Sequence, residues 1–131
     1  MFKTMNMPTP PRLRMLVAGD GGLDGLYARL ALWPTVELVG HARSASEAKE
    51  LTEDLSPDLV LMDVEAPGFD DPAAIQRFKT RPGAPMLFVL TDRDTPDARR
   101  ESFEAGADGV VTKARFEEKL RALVARIRPY L

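Results

Sequence analysis

A three-layer α/β domain on a five-stranded parallel sheet is the architecture this sequence predicts, and three observations carry it. Short apolar runs, clearest in Leu59-Val60-Leu61-Met62, stop abruptly at polar residues or turn signals, as strands buried on both faces do. Between the runs, apolar residues recur at three- and four-residue spacing, the mark of amphipathic helices able to cover a sheet. The two patterns alternate along the chain, which implies parallel strands joined by right-handed crossovers. A length of 131 residues suits one domain with a proper core.

The elements follow in order. Arg12 to Ala18 reads as a first strand, stopped by Gly19-Asp20-Gly21-Gly22. Leu23, Leu26, Tyr27, Leu30 and Trp33 stripe a helix that Pro34 closes. Val36 to Ala42 forms a second strand. Ser44 with Glu47 three residues on makes a capping box for a helix whose buried stripe is Ala48, Leu51 and Leu55. The Leu59–Asp63 strand comes third and ends in the Pro67-Gly68 turn. Ala74, Ile75 and Phe78 mark a shorter helix that stops before Pro82-Gly83. Pro85 to Thr91 is the fourth strand. Thr95 and Pro96 are the N-cap and first position of a helix reaching Gly106, a residue suited to a left-handed C-terminal cap. Val110-Val111-Thr112 gives the fifth strand, ending at Lys113. Phe116, Leu120, Leu123, Val124 and Ile127 stripe the last helix, finished by Pro129. The expected fold is a flavodoxin-like (βα)5 sandwich with strand order 2-1-3-4-5.

Composition removes several classes of function. The net charge of −2 provides no chain-wide basic footprint for nucleic acid. Without cysteine there can be no disulfide, thiol catalysis or cysteine-bound metal, and the single histidine, His41, leaves no zinc cluster. Met1 to Pro11 lacks the apolar core of a secretory signal, and its prolines Pro8, Pro10 and Pro11 predict a disordered lead-in over 1–11 before one domain at 12–131. No apolar run approaches membrane-spanning length, so the expected location is the cytoplasm, with no membrane contact.

The polar residues that follow strands one, three, four and five are Asp20, Asp63, Thr91 and Lys113. In a parallel sheet these ends share one edge, where open α/β folds keep their chemistry. Two carboxylates, a hydroxyl and an ammonium gathered there suit a divalent cation and a phosphoryl group. Magnesium takes carboxylate, water and phosphate oxygens, which Asp20 and Asp63 would supply in part. Asp63 would attack phosphorus to form an acyl phosphate, while the ion, Lys113 and Thr91 hold the equatorial oxygens. Lys113 opens a helix, a place that disfavours a cation, so an anionic partner accounts for it better than solvent does.

These residues resemble those of a response-regulator receiver domain, over nearly the whole chain from Arg12 to Arg128. Asp-Val-Glu-Ala-Pro-Gly-Phe-Asp at 63–70 is similar to the family's phosphoacceptor signature. Leu-Thr-Asp at 90–92 matches its switch hydroxyl, and Ala-Gly-Ala-Asp-Gly-Val-Val-Thr-Lys at 105–113 its lysine segment. The stretches Trp33 to Ala42 and Ala105 to Gly109 look most like receivers that precede a helix-turn-helix DNA-binding domain. The resemblance implies that Asp63 accepts a phosphoryl group from a histidine kinase or phosphotransfer protein, and that Thr91 and Lys113 follow it. It further implies a Mg2+ ion held by Asp20, Asp63 and the backbone carbonyl of Glu65; the less favoured alternative is that the Glu65 side chain itself reaches the ion. Output would pass through the surface of the fourth helix, fifth strand and last helix (α4-β5-α5), which is also a candidate homodimer surface. Such a domain catalyses its own phosphorylation and dephosphorylation only and is no turnover enzyme.

Two departures bear on this expectation. The family usually has adjacent acids after its first strand, where this chain has Gly19-Asp20, so weaker metal binding and slower phosphorylation are expected. Three residues before Lys113 stands Val110 in place of an aromatic switch, and a valine cannot swing a ring, so output must use another lever. Ala114 in place of the proline many receivers carry says little. The departures motivate a rival reading, a pseudo-receiver acting as a phosphorylation-independent interaction module; a metal-dependent phosphatase ranks third. The glycines at 19–25 do not form Gly-x-Gly-x-x-Gly, because position 24 is aspartate, and they lack the histidine of a cobalamin loop. His41 and Trp33 read as packing residues. The basic last helix, with Arg115, Lys119, Arg121, Arg126 and Arg128, reads as a solvated face, the alternative being a dock for an acidic partner.

Overall fold

The computed structural model describes residues 12–20, 24–69, 72–80 and 82–127. The lead-in expected at 1–11 lies outside them, as do Leu23, Arg128 and Pro129. Five strands, β1 (Leu13–Ala18), β2 (Val36–Ala42), β3 (Leu59–Asp63), β4 (Met86–Thr91) and β5 (Gly109–Thr112), form one sheet in the order β2-β1-β3-β4-β5. Every neighbouring pair is parallel. Among the described residues five α-helices alternate with them: α1 (Asp24–Leu30), α2 (Ala45–Leu55), α3 (Pro72–Lys79), α4 (Pro96–Ala105) and α5 (Phe116–Ile127).

The period-two alternation of the central strands builds two separate cores. Leu59 and Leu61 of β3, with Leu90 of β4, point to the layer of α1 and α5, where Leu30, Leu120 and Val124 meet them. Val60 and Met62 point the other way, onto Ala48 of α2 and Ile75 and Phe78 of α3. Apolar residues on both faces of one strand explain why the run 59–62 shows no polar alternation. Asp63 continues β3 as its last residue and is 4% exposed, so a carboxylate is buried where the apolar run ends.

Local signals set the helix ends. The Ser44 hydroxyl accepts the Glu47 N–H at 3.1 Å, the cap that the Ser44–Glu47 spacing predicts, while the Glu47 carboxylate reaches one residue further back than a capping box does and accepts the Arg43 N–H at 2.7 Å. The Thr95 hydroxyl accepts the Ala98 N–H at 3.1 Å, with Pro96 at the first turn. Gly106 closes α4 at φ 118°, a left-handed conformation that side chains with a Cβ rarely adopt.

Two features depart from the sequence pattern. The helix expected to reach Trp33 ends at Leu30. The N–H groups of Leu32 and Trp33 turn back to the carbonyls of Arg29 and Leu30, three residues behind them, which tightens the final turn before Pro34. Trp33 still packs in the core, 6% exposed, so its spacing reported burial and not helix. In β2 the register against β1 slips between Leu38 and Gly40, a bulge on an edge strand. His41 beyond it stacks on Tyr27 with ring centroids 5.5 Å apart, in keeping with a packing role.

Candidate functional site

The site is assembled at the carboxyl edge of the sheet by strand register. Asp63 pairs with Leu90 across β3 and β4, which sets Thr91 one residue further along the neighbouring strand. Thr91 pairs with Thr112 across β4 and β5, which sets Lys113 just beyond the edge. On the other side, Ala18 pairs with Met62, so Gly19 and Asp20 leave β1 beside Asp63.

Asp63 is held by its own turn and by one cation. Its Oδ1 accepts the backbone N–H of Glu65 at 2.9 Å, an Asx turn that starts the loop after β3. Its Oδ2 lies 3.1 Å from the Lys113 ammonium. The same ammonium is 3.1 Å from Glu65 Oε1 and 3.7 Å from Asp92 Oδ2. Lys113 opens a 3-10 turn at 113–115 that leads into α5, and three carboxylates offset its charge at a place that disfavours a cation. Burial by itself would lower its pKa, but hydrogen bonds to Glu65 and Asp63, with the charges of Asp63 and Asp92, hold it above the ordinary lysine value.

Thr91 is 3% exposed, and its hydroxyl donates to Glu65 Oε2 at 2.8 Å while accepting the Arg93 N–H at 3.1 Å. Glu65 Oε1 accepts the Asp92 N–H at 2.8 Å. The Glu65 side chain is thus turned toward the ends of β4 and β5, whereas its spacing allowed a turn toward an ion. Burial alone would raise its pKa. The hydrogen bonds from Asp92, Thr91 and Lys113, and the lysine charge, outweigh that and hold the carboxyl below its ordinary value.

Of the residues named from sequence, Asp63 and Lys113 meet directly, and Thr91 joins them through Glu65. Asp20 follows β1 at the same edge and is exposed. Val110 is buried in β5 at 3% exposure. Asp92 had no assigned role beyond its place in Leu-Thr-Asp; its backbone donor and its carboxylate both reach the cluster. Gly19 is bonded to Ala42 through its N–H at 2.9 Å, and its carbonyl lies 3.2 Å from His41 Nε2.

The donors present fit a hard divalent ion. A carboxylate offers about four lone-pair positions, and at Asp63 one N–H and one ammonium occupy two of them. Among the described residues no three His, Cys, Asp or Glu side chains form a metal-holding group. The positions left open on Asp63 would suit an ion completed mainly by carbonyl and water oxygens, the mixture magnesium accepts.

A parallel α/β sheet thus gathers an acid, a hydroxyl and an ammonium at its carboxyl edge, the place where open α/β folds keep their binding sites. The family model of the response regulator receiver domain matches residues 30–125, and this chain belongs to that family. It is 36% identical over 97 residues to the transcriptional regulatory protein LiaR of Bacillus subtilis, covering 72% of this chain and 46% of LiaR. The solved two-component response regulator of the LuxR family from Aurantimonas sp. SI85-9A1 superposes with a TM-score of 0.78 at 28% identity, covering 90% of this chain and 86% of that one. The receiver domain of NarL from Mycobacterium tuberculosis shares the fold, with a TM-score of 0.79 at 24% identity, covering 92% and 98% of the two chains. The chain spans about half, or less, of the length of the curated relatives it matches.

Proposed function

We propose that this receiver accepts a phosphoryl group on Asp63 from the phosphohistidine of a histidine kinase or phosphotransfer protein. The observation that carries the reading is the buried Asp63 carboxylate at the end of β3 with the Lys113 ammonium 3.1 Å away. An oxygen of Asp63 attacks phosphorus, a P–O bond forms, and the P–N bond to the donor imidazole breaks. The imidazole keeps the electron pair and takes up a proton. Lys113 offsets charge on the transferring oxygens, and the Thr91 hydroxyl is placed to follow the group once it is attached. Asp20, Asp63 and the Glu65 carbonyl would hold Mg2+, which neutralises the phosphoryl oxygens when bound.

Because Thr91 ends β4 and Lys113 follows β5, a shift of either is felt first in α4, β5 and α5, the proposed output and dimer surface. Val110 is buried and aliphatic, which leaves the Thr91 loop as the lever. The domain turns over no external substrate and needs no nucleic acid contact of its own. The cytoplasm is the location proposed for it; among the described residues no helix is long and apolar enough to cross a membrane.

The test is intact mass after incubation with acetyl phosphate and magnesium. The expected result is a single phosphate adduct that disappears in Asp63→Asn and when the metal is chelated. An unchanged mass for the native chain would overturn the reading in favour of a phosphorylation-independent interaction module.

A further inference from the structure

We propose that the Glu65 side chain is an internal competitor for the anion cradle of this receiver, and that it must swing out before a phosphoryl group can settle on Asp63. The inference rests on the phosphoacceptor reading and adds a gate to it. The cradle has three donors from two strand ends: the Thr91 hydroxyl, the Asp92 backbone N–H and the Lys113 ammonium. Glu65 takes all three, through Oε2 at 2.8 Å and through Oε1 at 2.8 and 3.1 Å.

Proton counting makes the competition stoichiometric. A threonine hydroxyl has one proton and a backbone amide has one. Here both point at Glu65, so neither can serve a phosphoryl oxygen while that side chain stays in place. Lys113 has three protons and already bridges Asp63 and Glu65 at equal distance, 3.1 Å to each. Charge acts in the same direction. A phosphoryl group brings up to two negative charges beside a carboxylate, and like charges at such range repel strongly where water is partly excluded.

The side chain, not the backbone, is responsible, so Glu65→Ala keeps the carbonyl offered to the ion. Adduct formation from acetyl phosphate and magnesium is followed by intact mass in the native chain, Glu65→Ala and Glu65→Gln. Displacing a charged acceptor from a half-exposed site corresponds to roughly tenfold, so Glu65→Ala should gain a phosphate about ten times faster than the native chain. Beryllofluoride, a phosphoryl mimic read by 19F NMR, should bind it tighter by a similar factor. The Asp92 amide proton should move upfield in both variants and return downfield on beryllofluoride binding. Glu65→Gln keeps the shape and loses the charge, so it should also exceed the native rate. Equal or slower adduct formation in Glu65→Ala, with the adduct still on Asp63, would overturn the gate and leave the phosphoacceptor reading standing. No adduct and no beryllofluoride binding in any of the three chains would overturn that reading and the gate with it.

Discussion

Replacing Lys113 by methionine tests whether one ammonium holds this acidic corner together. The native side chain neutralises Asp63, which is 4% exposed, and also lies within 3.1 Å of Glu65. Methionine restores the apolar stem but leaves a buried carboxylate without its cation. Removing one partner from a fully buried ion pair costs about 3–5 kcal/mol. The Lys113 side chain is 29% exposed, so water recovers part of that, and about 2 kcal/mol is expected at pH 7. For a domain of this size that is a fall of about 8 °C in Tm. Its pH dependence is the sharper mark. Glu65 is held below its ordinary 4.5, so its contribution to native stability is complete above that value and is lost as pH falls through the folded value. Lys113 is held above its ordinary 10.5, so its contribution is complete below that and is lost as pH rises through the folded value. The gap between native and Lys113→Met proteins should therefore be widest near neutrality and shrink below pH 4.5. Urea unfolding followed by fluorescence of the lone tryptophan, Trp33, measures it at each pH. A gap under about 0.5 kcal/mol at pH 7, or one unchanged into acid, would refute the electrostatic account.

Two further substitutions probe the scaffold that places the site. Asp108 Oδ2 accepts the Lys79 ammonium at 2.7 Å and the Leu87 N–H at 2.8 Å, tying the end of α3 and the turn before β5 to β4. Asp108→Ala should cost about 1.5 kcal/mol by urea unfolding, and Asp108→Asn should recover about half, since an amide oxygen still accepts from Leu87. A Cβ added at Gly109 would stand 2.8 Å from Phe88 Cδ1 and 3.1 Å from Leu123 Cδ1, so the Phe88 ring would have to shift and the Leu123 side chain give way slightly. Gly109→Ala should lower stability by about 1–3 kcal/mol, visible as a lower Tm with the far-ultraviolet circular dichroism preserved.

Most of this fold could be read from neighbours in the chain. The apolar runs located all five strands, with β2 matching its expected bounds and Asp63 closing β3. Ser44, Thr95, Pro96 and Gly106 marked helix ends, because a cap is a bond between residues a few positions apart and so leaves its mark in local sequence. The polar residues at the strand ends pointed to Asp63, Thr91 and Lys113 for the same reason: where a strand stops is a local property, and parallel topology then brings the stops to one edge. Local pattern misled only where burial and helix share a signature, as at Trp33, whose spacing continued a helix that ends at Leu30. It could not decide where the Glu65 side chain turns, toward an ion or toward the neighbouring strand ends. That choice depends on donors at 91, 92 and 113, brought within 3.1 Å by the register of β3, β4 and β5. A rotamer selected by partners so distant in sequence leaves no periodicity behind, and only the assembled sheet could decide it.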